Sequence, residues 1–427
     1  MKRLLGIAIA ANIFATSLLF GGSPEKSQGI ESGHKRIIKA SDLKYLGIMK
    51  APLDVMPDSG EPWLSRAQGA LALRCRPDGM KTLLVSGATA RFNNPLVEIS
   101  IEEFNTDPAK IVRAKLLNAW KSDEWQQGRK TWGKIPFTGY LETAGLLWEK
   151  DTLYSLFGGT YDVSGGNKPV LMMTKFLPDG TLKSYGPWYT AAGTKQTRNY
   201  LVRVPDWYAT KYLGGNTIAA GATLNAGDAG SPWPRSLISL APPSESLAPN
   251  STLPTRTMLF YPMNHADTYP SAYRSAGVKK LTRGEWINNG VVPSAVWVDT
   301  PELSGVLYFG RIGKGYVWYG QNPDPKTGIT DRVNLSKGYH AESYQQYLAI
   351  DDPLKYVSVI MGKVPSWSIR ANSEADLNTL PGVEFPEGTM FTGAVFDPDK
   401  SMLILCGDAE QVGSNPMLLF RAFHVGP

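Results

Sequence analysis

The densest collection of side chains that could bind a ligand lies between residues 305 and 350. Aromatic faces stack on sugar rings and other planar groups, and an arginine can hold a carboxylate through two parallel hydrogen bonds. We therefore predict that this stretch contributes most to a ligand-binding site, and the candidates are Arg311, Trp318, Tyr319, Tyr339 and His340. The alternative is structural, because aromatic rings also pack between neighbouring sheets and an arginine also caps turns.

Histidines offer little support for a metal centre. The chain has only 4 of them, far apart in sequence. Asp267 follows His265 and Glu342 follows His340 by two residues, a spacing that places both side chains on one face of a strand. Either pair could hold a metal or orient an acid–base histidine, but the sequence lacks the His-x-x-x-His spacing of zinc sites. Hydrogen-bonded loop histidines explain the same pattern, so we expect no metal and no cofactor.

Three carboxylates point to a second chemistry, the hydrolysis of polysaccharides. Glycoside hydrolases need two acidic groups that flank the scissile bond. Glu149, Asp299 and Asp397 each follow an apolar strand and could converge on the mouth of a central channel. They also stand at expected hairpin turns, where aspartate is favoured for local hydrogen bonding alone. Both interpretations stay open.

The elements that must position these residues repeat along the chain. In each copy an apolar strand runs into a turn, a second strand ends in glycine, and a polar loop with proline opens a third strand. The clearest copies are Gly69–Ile101 and Thr392–Val425. Self-similar strand units of this kind are typical of a β-propeller. We predict an all-β propeller with five blades. Six is the alternative, if Arg256–Tyr261 begins another blade rather than forming the fourth strand of the third.

The ring is expected to close through an N-terminal strand. The chain ends at Pro427, directly after the third strand of the last blade, so that blade lacks its outer strand. Leu43–Met49 could fill the gap and leave no open edge, and a loose N-terminal arm is the alternative. Cys75 and Cys406 would lie in the first and last blades. A disulfide between them would staple the seam, with two buried thiols as the other interpretation.

Composition agrees with a fold of strands and turns, with 43 Gly and 31 Pro among 427 residues. Only short helices are expected, at Pro108–Ser122 and Pro205–Leu213. The net charge of +6 is dispersed rather than gathered in blocks. A basic surface of this kind suits weak attraction to anionic surfaces, and no nucleic-acid-binding motif accompanies it. We therefore exclude nucleic acid as a partner.

The first residues have the pattern of a targeting segment. Two basic residues precede the apolar run Leu4–Phe20, and glycines follow. This is the arrangement of a secretory signal, and an uncleaved membrane anchor is the alternative. We expect residues 1–22 to be the signal peptide or anchor, residues 23–42 a flexible lead-in, and residues 43–427 the propeller with long insertions. The protein is then secreted or periplasmic, with no membrane span beyond the N-terminal segment.

The hairpin from Gly393 to Leu403 and its copies resemble the blades of secreted bacterial β-propellers. The resemblance spans about residues 69–425 and implies the fold, without catalytic residues to carry over. The function we predict is binding of an extracellular glycan or protein partner. The alternatives are a polysaccharide hydrolase or lyase with its site at the propeller channel, and a structural subunit of an extracellular assembly.

Overall fold

Five sheets surround a central channel in the structure, a computed structural model, and the described residues form a five-bladed, all-β propeller. The description covers residues 35–427 except 59, 66–68, 88–94, 126–140, 160–166, 194–195, 223–234, 262–290, 334–337, 384, 386–388 and 413–414. Residues 36–427 form one compact unit. The predicted count of five blades is confirmed.

The strands follow one another around the ring in chain order. The N-terminal strands are β1 (Arg36–Ile37) and β2 (Leu43–Lys50), and blade 1 contains β3 (Leu71–Cys75), β4 (Lys81–Ser86), β5 (Leu96–Ser100) and β6 (Leu116–Trp120). Blade 2 contains β7 (Leu141–Glu149), β8 (Thr152–Gly159), β9 (Leu171–Phe176) and β10 (Leu182–Thr190). Blade 3 contains β11 (Tyr200–Arg203), β12 (Ile218–Gly221), β13 (Ser236–Leu240) and, after β14 (Thr252–Leu253), β15 (Thr255–Phe260).

Blades 4 and 5 complete the ring. Blade 4 contains β16 (Val291–Asp299), β17 (Leu303–Gly320), β18 (Gly338–Asp351) and β19 (Ser373–Asp376). Blade 5 contains β20 (Phe391–Asp397), β21 (Met402–Val412) and β22 (Asn415–Val425), with β2 as its outer strand. In the described part of the chain the α-helices are α1 (Ser122–Trp125), α2 (Asp206–Tyr212) and α3 (Pro353–Ile360), and short 3₁₀ turns lie at Ala40–Asp42, Pro108–Lys110, Ser366–Ser368 and Leu377–Thr379.

The first strand of each blade lies innermost, beside the channel. These inner strands are β3, β7, β11, β16 and β20, and each contacts the inner strand of the next blade, with β20 returning to β3. The carboxyl ends of all five meet at the same end of the channel. We call that end, where each inner strand turns into the second strand of its blade, the hairpin face.

At the end of the blades away from the hairpin face, a recurring glycine permits close approach of a neighbouring backbone segment. Gly87 stands just after the end of the second strand of blade 1, as the repeat predicts, whereas in blade 5 the second strand continues through Gly407 to Val412. A Cβ on Gly407 would lie 2.6 Å from the carbonyl oxygen of Met390, and one on Gly87 2.6 Å from that of Trp63. Because these separations are shorter than any side chain tolerates, the segment entering the inner strand can reach this position only beside glycine.

The N-terminal strand closes the ring as predicted. Strand β2 pairs antiparallel with β22 along its whole length and supplies the missing outer strand of blade 5. Its far edge is covered as well, because the amide of Ile48 donates to the carbonyl of Asn105 at 3.0 Å and that of Lys50 to Val112 at 3.0 Å. Backbone groups of the first and last blades are thereby joined on both sides of β2.

Residues 36–42, part of the expected lead-in, make defined contacts with blades 4 and 5. Strand β1 pairs in parallel with the start of β17. The guanidinium of Arg36 donates to both carboxylate oxygens of Asp42 at 2.8 and 3.0 Å, and the amide of Gly426 donates to the Asp42 carbonyl at 3.1 Å. Residues 36–42 therefore belong to the folded unit, since pairing and a bidentate ion pair outweigh their polar composition.

The longest insertion ties blade 3 to blade 2. Strand β15 pairs with β13, so the run Arg256–Tyr261 contributes the fourth strand of blade 3, as predicted, rather than a sixth blade. Strand β14 crosses back and pairs in parallel with β10. Glu245 of the same insertion contacts Lys175 at 2.8 Å and accepts a hydrogen bond from Tyr185 at 2.6 Å. The remainder of the insertion lies outside the described residues.

Of the two predicted helices, one is confirmed and one is wrong. Pro205–Leu213 contains α2. Within Pro108–Ser122 only Pro108–Lys110 and Ser122, the first residue of α1, are helical, and Leu116–Trp120 forms β6 against β5. The open edge of β5 offers hydrogen-bond partners that override weak local propensity. Among the residues that the structure describes, no helix is long and apolar enough to cross a membrane.

The predicted disulfide is absent, and the strand register gives the reason. Cys406 lies on β21, where its Sγ would be 3.2 Å from a Cβ on Gly69, just before β3 begins. Cys75 ends β3, six residues later and about 20 Å away at the usual rise of a strand. A disulfide needs Cα atoms within about 7 Å. Both residues are thiols, with Cys75 exposed and Cys406 buried.

Candidate functional site

At the hairpin face the channel widens into a cavity of about 360 Å³. Its wall takes residues from all five inner strands, namely Leu73 from the middle of β3 and Trp148, Arg203, Asp299 and Phe396 from the carboxyl ends of the other four. A volume of this size falls at the lower end of the range for small-molecule sites.

Deeper in the channel the inner strands approach one another until little space remains. The void at this level is about 10 Å³, no more than one water molecule needs. A Cβ on Gly393 would lie 2.1 Å from the carbonyl oxygen of Gly69, and one on Gly145 2.9 Å from the amide nitrogen of Leu201. Along the described strands the cavity is therefore a blind pocket, open toward the hairpin face.

Blades 1, 2 and 5 give the cavity an apolar, aromatic wall. Trp148 is half-buried, and its ring packs edge-on against Phe176 at 5.1 Å between centroids. The guanidinium of Arg74 lies 4.2 Å from the Phe176 centroid and 5.1 Å from the Trp148 ring, and it bonds to buried Glu98 at 2.8 Å. This cation–π stack fixes the indole in place, so its cavity-facing surface is preorganised.

Blade 3 gives the opposite wall a guanidinium held between two carboxylates. Arg203, the last residue of β11, donates to Asp206 at 2.7 Å and lies 3.5 Å from Glu149. The Glu149 side chain is buried and also accepts from the Thr217 hydroxyl at 2.8 Å. The arginine thus joins β7, β11 and the first turn of α2 at the cavity edge.

The arrangement of Asp206 disfavours acid catalysis at this position. The hydrogen bond from Arg203 lowers the pKa of Asp206 despite partial burial, and the charges of Arg203 and Lys150 act in the same direction. A glycosidase acid needs the opposite, a raised pKa that keeps its proton near neutral pH. Asp206 can therefore accept a hydrogen bond from a ligand but is poorly suited to protonate one.

Asp299 contributes a third carboxylate beside the cavity, from blade 4. The indole nitrogen of Trp207 donates to its Oδ2 at 3.0 Å, which anchors α2 to the end of β16. The neighbouring Trp297 packs edge-on against Tyr208 at 4.8 Å and is almost fully buried. The polar wall is therefore held rigidly by aromatic contacts behind it.

The three carboxylates predicted from the sequence all lie at the hairpin face, but they do not form one site. Asp299 lines the cavity, and Glu149 reaches it through Arg203. Asp397 is fully buried and forms an ion pair with Lys81, which also contacts Asp399 at 2.5 Å. Its role is to bridge blades 5 and 1.

The residues predicted to bind a ligand lie together on the hairpin formed by β17 and β18, which projects from the opposite end of blade 4. Trp318 stands opposite His340 and Tyr319 opposite Tyr339 in the strand register. The Trp318 ring stacks on His340 at 4.9 Å and on Tyr316 at 5.7 Å. Trp318 is 7% exposed and His340 0%. These two rings are internal supports of the hairpin. The side chains of Tyr319 and Tyr339 lie outside the description.

The partner of His340 differs from the one that its sequence neighbours indicated. Its Nδ1 lies 3.3 Å from Asp331, whereas Glu342 accepts from the backbone amide of Tyr316 at 3.1 Å. His265 and Asp267 lie outside the described residues. Within the described ranges, no group of three or more His, Cys, Asp or Glu side chains could hold a metal ion.

Sequence reasoning missed the residues that shape the cavity, above all Trp148, Arg203 and Phe396. Each stands within one residue of the end of an inner strand or at it. Their common position in the repeat was a usable signal, because the carboxyl ends of the inner strands of a propeller meet around its axis.

Comparisons with known proteins add no activity. No protein-family model matches the chain, and no curated protein sequence matches it. Among solved structures, a luciferin-regenerating enzyme aligns with 90% of this chain and 94% of its own at 8% identity and a TM-score of 0.32. A likeness this weak carries no argument about chemistry, and the propeller assignment rests on the strand pairing of the chain itself.

Proposed function

We propose that this protein is an exported propeller that binds an extracellular glycan in the cavity at the hairpin face. The observation that carries the proposal is the two-sided wall of that cavity. Half-buried aromatic rings from blades 2 and 5 face a guanidinium and carboxylates from blades 3 and 4. A sugar ring has the complementary surface, since its C–H face packs on aromatic rings and its hydroxyls both donate and accept hydrogen bonds.

Binding is favoured over hydrolysis by the state of the carboxylates. Asp206 is held ionised by Arg203, and Asp397 is committed to Lys81. Asp206 is therefore poorly suited to act as a protonated acid near neutral pH. The protein partner and the assembly subunit considered from the sequence become outcomes of the experiment below.

Export is supported by the sequence of the first 22 residues, a basic start followed by an apolar run and a glycine pair. A cell-fractionation experiment tests it directly. We expect the full chain to appear in the periplasm or medium and, if the leader is cleaved, to lose its first residues. Recovery from the cytoplasm with an intact N-terminus would contradict export.

The test of glycan binding compares two phenylalanines of similar burial. The purified protein is applied to a glycan array and then titrated with the best binder, alongside Phe396→Ala and Phe104→Ala. Both rings are half-buried, but only Phe396 lines the cavity. We expect Phe396→Ala to weaken binding by about tenfold or more, the usual worth of a ring at a binding site, and Phe104→Ala to leave it unchanged.

Two other results would overturn the proposal. Equal loss in both phenylalanine variants would place the glycan elsewhere, and release of shorter products from any polysaccharide would make the protein an enzyme. If no glycan on the array binds and the protein stably captures a cell-surface protein, a protein partner would be favoured instead.

A further inference from the structure

The wall of the cavity is continuous around the propeller axis. Each inner strand contacts the inner strand of the next blade, from β3 around to β20 and back to β3. All five inner strands contribute residues to the cavity. Along the described strands there is therefore no gap between blades through which a bound chain could leave sideways, and the cavity opens along the axis, at the hairpin face.

The floor of the cavity is an apolar ring with one residue from each inner strand. These five residues line both the cavity and the narrow void beneath it, and they are Leu71, Leu146, Leu201, Ala295 and Ala394. The void measures about 10 Å³, which is far too small for a sugar. A ligand that enters from the hairpin face must therefore leave through the same opening.

The space above the floor suits a single sugar ring. Its volume of about 360 Å³ corresponds to roughly a dozen waters at about 30 Å³ each. A hexose has about as many non-hydrogen atoms. One sugar unit therefore fills the cavity, and further units of the same chain must lie outside it.

Backbone groups can satisfy the hydroxyls of that ring inside the cavity. In the described sheets each inner strand is an edge strand, paired with the second strand of its own blade, and its other edge faces the channel. The edge of a strand presents N–H and C=O groups, and sugar hydroxyls both donate and accept hydrogen bonds. A sugar can therefore bind in the cavity although the floor is apolar.

The shape of the cavity separates the end of a glycan chain from its interior. An internal sugar carries glycosidic bonds on two sides, so its binding requires a groove or a tunnel with two openings. A terminal sugar carries one such bond, and the rest of its chain can extend out of a single opening. The described walls and floor leave one opening, which fits the terminal sugar.

We propose that the cavity binds the terminal sugar of a glycan chain end-on and excludes sugars from the interior of the chain. This rests on the proposed glycan-binding function. The terminal ring lies between the aromatic wall of blades 2 and 5 and the polar wall of blades 3 and 4, and the following sugars extend into solvent. The number of binding sites on a polysaccharide is then set by its chain ends rather than by its length.

Chain ends can be varied at constant mass, which tests the proposal on the unchanged, full-length protein. The probes are pullulan, xylan, mixed-linkage β-glucan and glycol chitin, each intact and after partial hydrolysis to chains about tenfold shorter. Calorimetric titration gives the amount of protein bound per mass of polysaccharide. For each probe that binds, we expect this capacity to rise about tenfold on hydrolysis, with unchanged affinity per site.

The glycan array supplies a second measurement, because it displays the same sugar at the free end and one unit further in. We expect binding to be lost when the free end of a bound glycan is extended by a different sugar. Persistent binding to the extended glycan, or a capacity that hydrolysis leaves unchanged, would overturn the end-on mode and leave glycan binding standing. If neither the array nor any polysaccharide binds to the folded protein, both proposals fail.

Two alanine variants test insertion to the floor. Ala394 and Ala119 are both partly buried strand residues, but only Ala394 lines the cavity. Ala394→Leu raises the floor and should weaken glycan binding by about tenfold, whereas Ala119→Leu should leave it within about twofold. Thermal unfolding checks that both variants are folded. Unchanged affinity in Ala394→Leu, together with a loss in Phe396→Ala, would show that the glycan binds at the rim and does not insert.

Discussion

The cavity at the hairpin face and the β17–β18 hairpin are built from the same kinds of side chain, arranged to opposite effect. In the hairpin, Trp318 and His340 stack on each other and are almost fully buried. In the cavity, Trp148 and Phe396 are only half-buried and face open space across from Arg203. A cluster of aromatic and charged groups can therefore be a support or a binding surface, and exposure decides which.

The hairpin needs such a support because of its length. Strand β17 has 18 residues and β18 has 14, so both run beyond the sheet of blade 4. Beyond Arg311, no described strand other than β18 pairs with β17. Asp331 holds the projecting end together, accepting from the Tyr344 hydroxyl at 2.7 Å and from the amide of Val333 at 2.8 Å. A small polar and aromatic core replaces the missing neighbour.

The largest expected effect is the loss of stability in Trp318→Ala. Truncation of a buried indole removes its stacking on His340 and leaves a cavity, which costs about 3–5 kcal/mol. Hydrogen exchange of the β17–β18 amides should rise sharply, and affinity for a glycan in the cavity should not change. Tyr316→Ala is the control, since that ring is 36% exposed and its loss should cost under about 1 kcal/mol. Loss of glycan affinity with unchanged exchange would move the binding site to the hairpin.

A large effect on binding alone is expected from filling the cavity. Leu73→Trp adds an indole to the wall contributed by β3 and should lower glycan affinity by at least about tenfold. Because the space is open, the free energy of unfolding should change by less than about 1 kcal/mol, below the usual cost of overpacking a core. Leu46→Trp, at an exposed leucine outside the cavity, should change neither quantity. Unchanged affinity in Leu73→Trp would show that the cavity is not the site.

The fold could be predicted from the sequence because each of its signals is local and repeated. Turn residues, a closing glycine and alternating apolar strands recur, and the missing outer strand of blade 5 left a place for Leu43–Met49. The predictions of a helix and of a disulfide were wrong, because each depends on contacts with a segment that is distant in the sequence. Leu116–Trp120 became a strand because β5 offered an open edge, and Cys406 lies at the wrong end of β3 to reach Cys75.

The candidate site was harder to predict, since it depends on which aromatic side chains are buried and which face open space. The sequence spacing of Trp318 and His340 does not show whether their rings stack on each other in the interior or are exposed to a ligand. The carboxylate that contacts His340 is Asp331, nine residues away, rather than Glu342, two residues away. Arg203 was passed over because its importance comes from the contact with Glu149, which only the ring brings to it, in addition to Asp206 three residues further along the chain.

A smaller effect on stability is expected from removing Arg311, an arginine of the β17–β18 hairpin rather than of the cavity. The sequence predicts ligand binding by Arg311, but this residue does not line the cavity, and its guanidinium lies 4.6 Å from the Tyr344 ring. We expect Arg311→Ala to cost no more than about 1 kcal/mol of stability, the usual worth of a cation–π contact that is not fully desolvated. Glycan affinity should stay within twofold of the unchanged protein by calorimetry. A tenfold loss of affinity would restore the hairpin as the binding region.

The smallest expected effect is the contribution of Asp206, in the cavity wall, to the pH dependence of the free energy of unfolding. The hydrogen bond from Arg203 lowers the pKa of Asp206 against the effect of burial, so folding favours its ionised form. This stabilisation is complete above the pKa of an unfolded aspartate, about 4, and is lost as the pH falls through the lowered folded value. Because the side chain is 74% exposed, solvent screening keeps the contribution below about 1 kcal/mol. Urea unfolding of the unchanged protein and Asp206→Asn should therefore differ slightly at pH 7 and converge toward pH 3. A gap that widens in acid would mean that Asp206 is protonated in the folded state, and it would reopen the question of whether this wall can supply a catalytic acid.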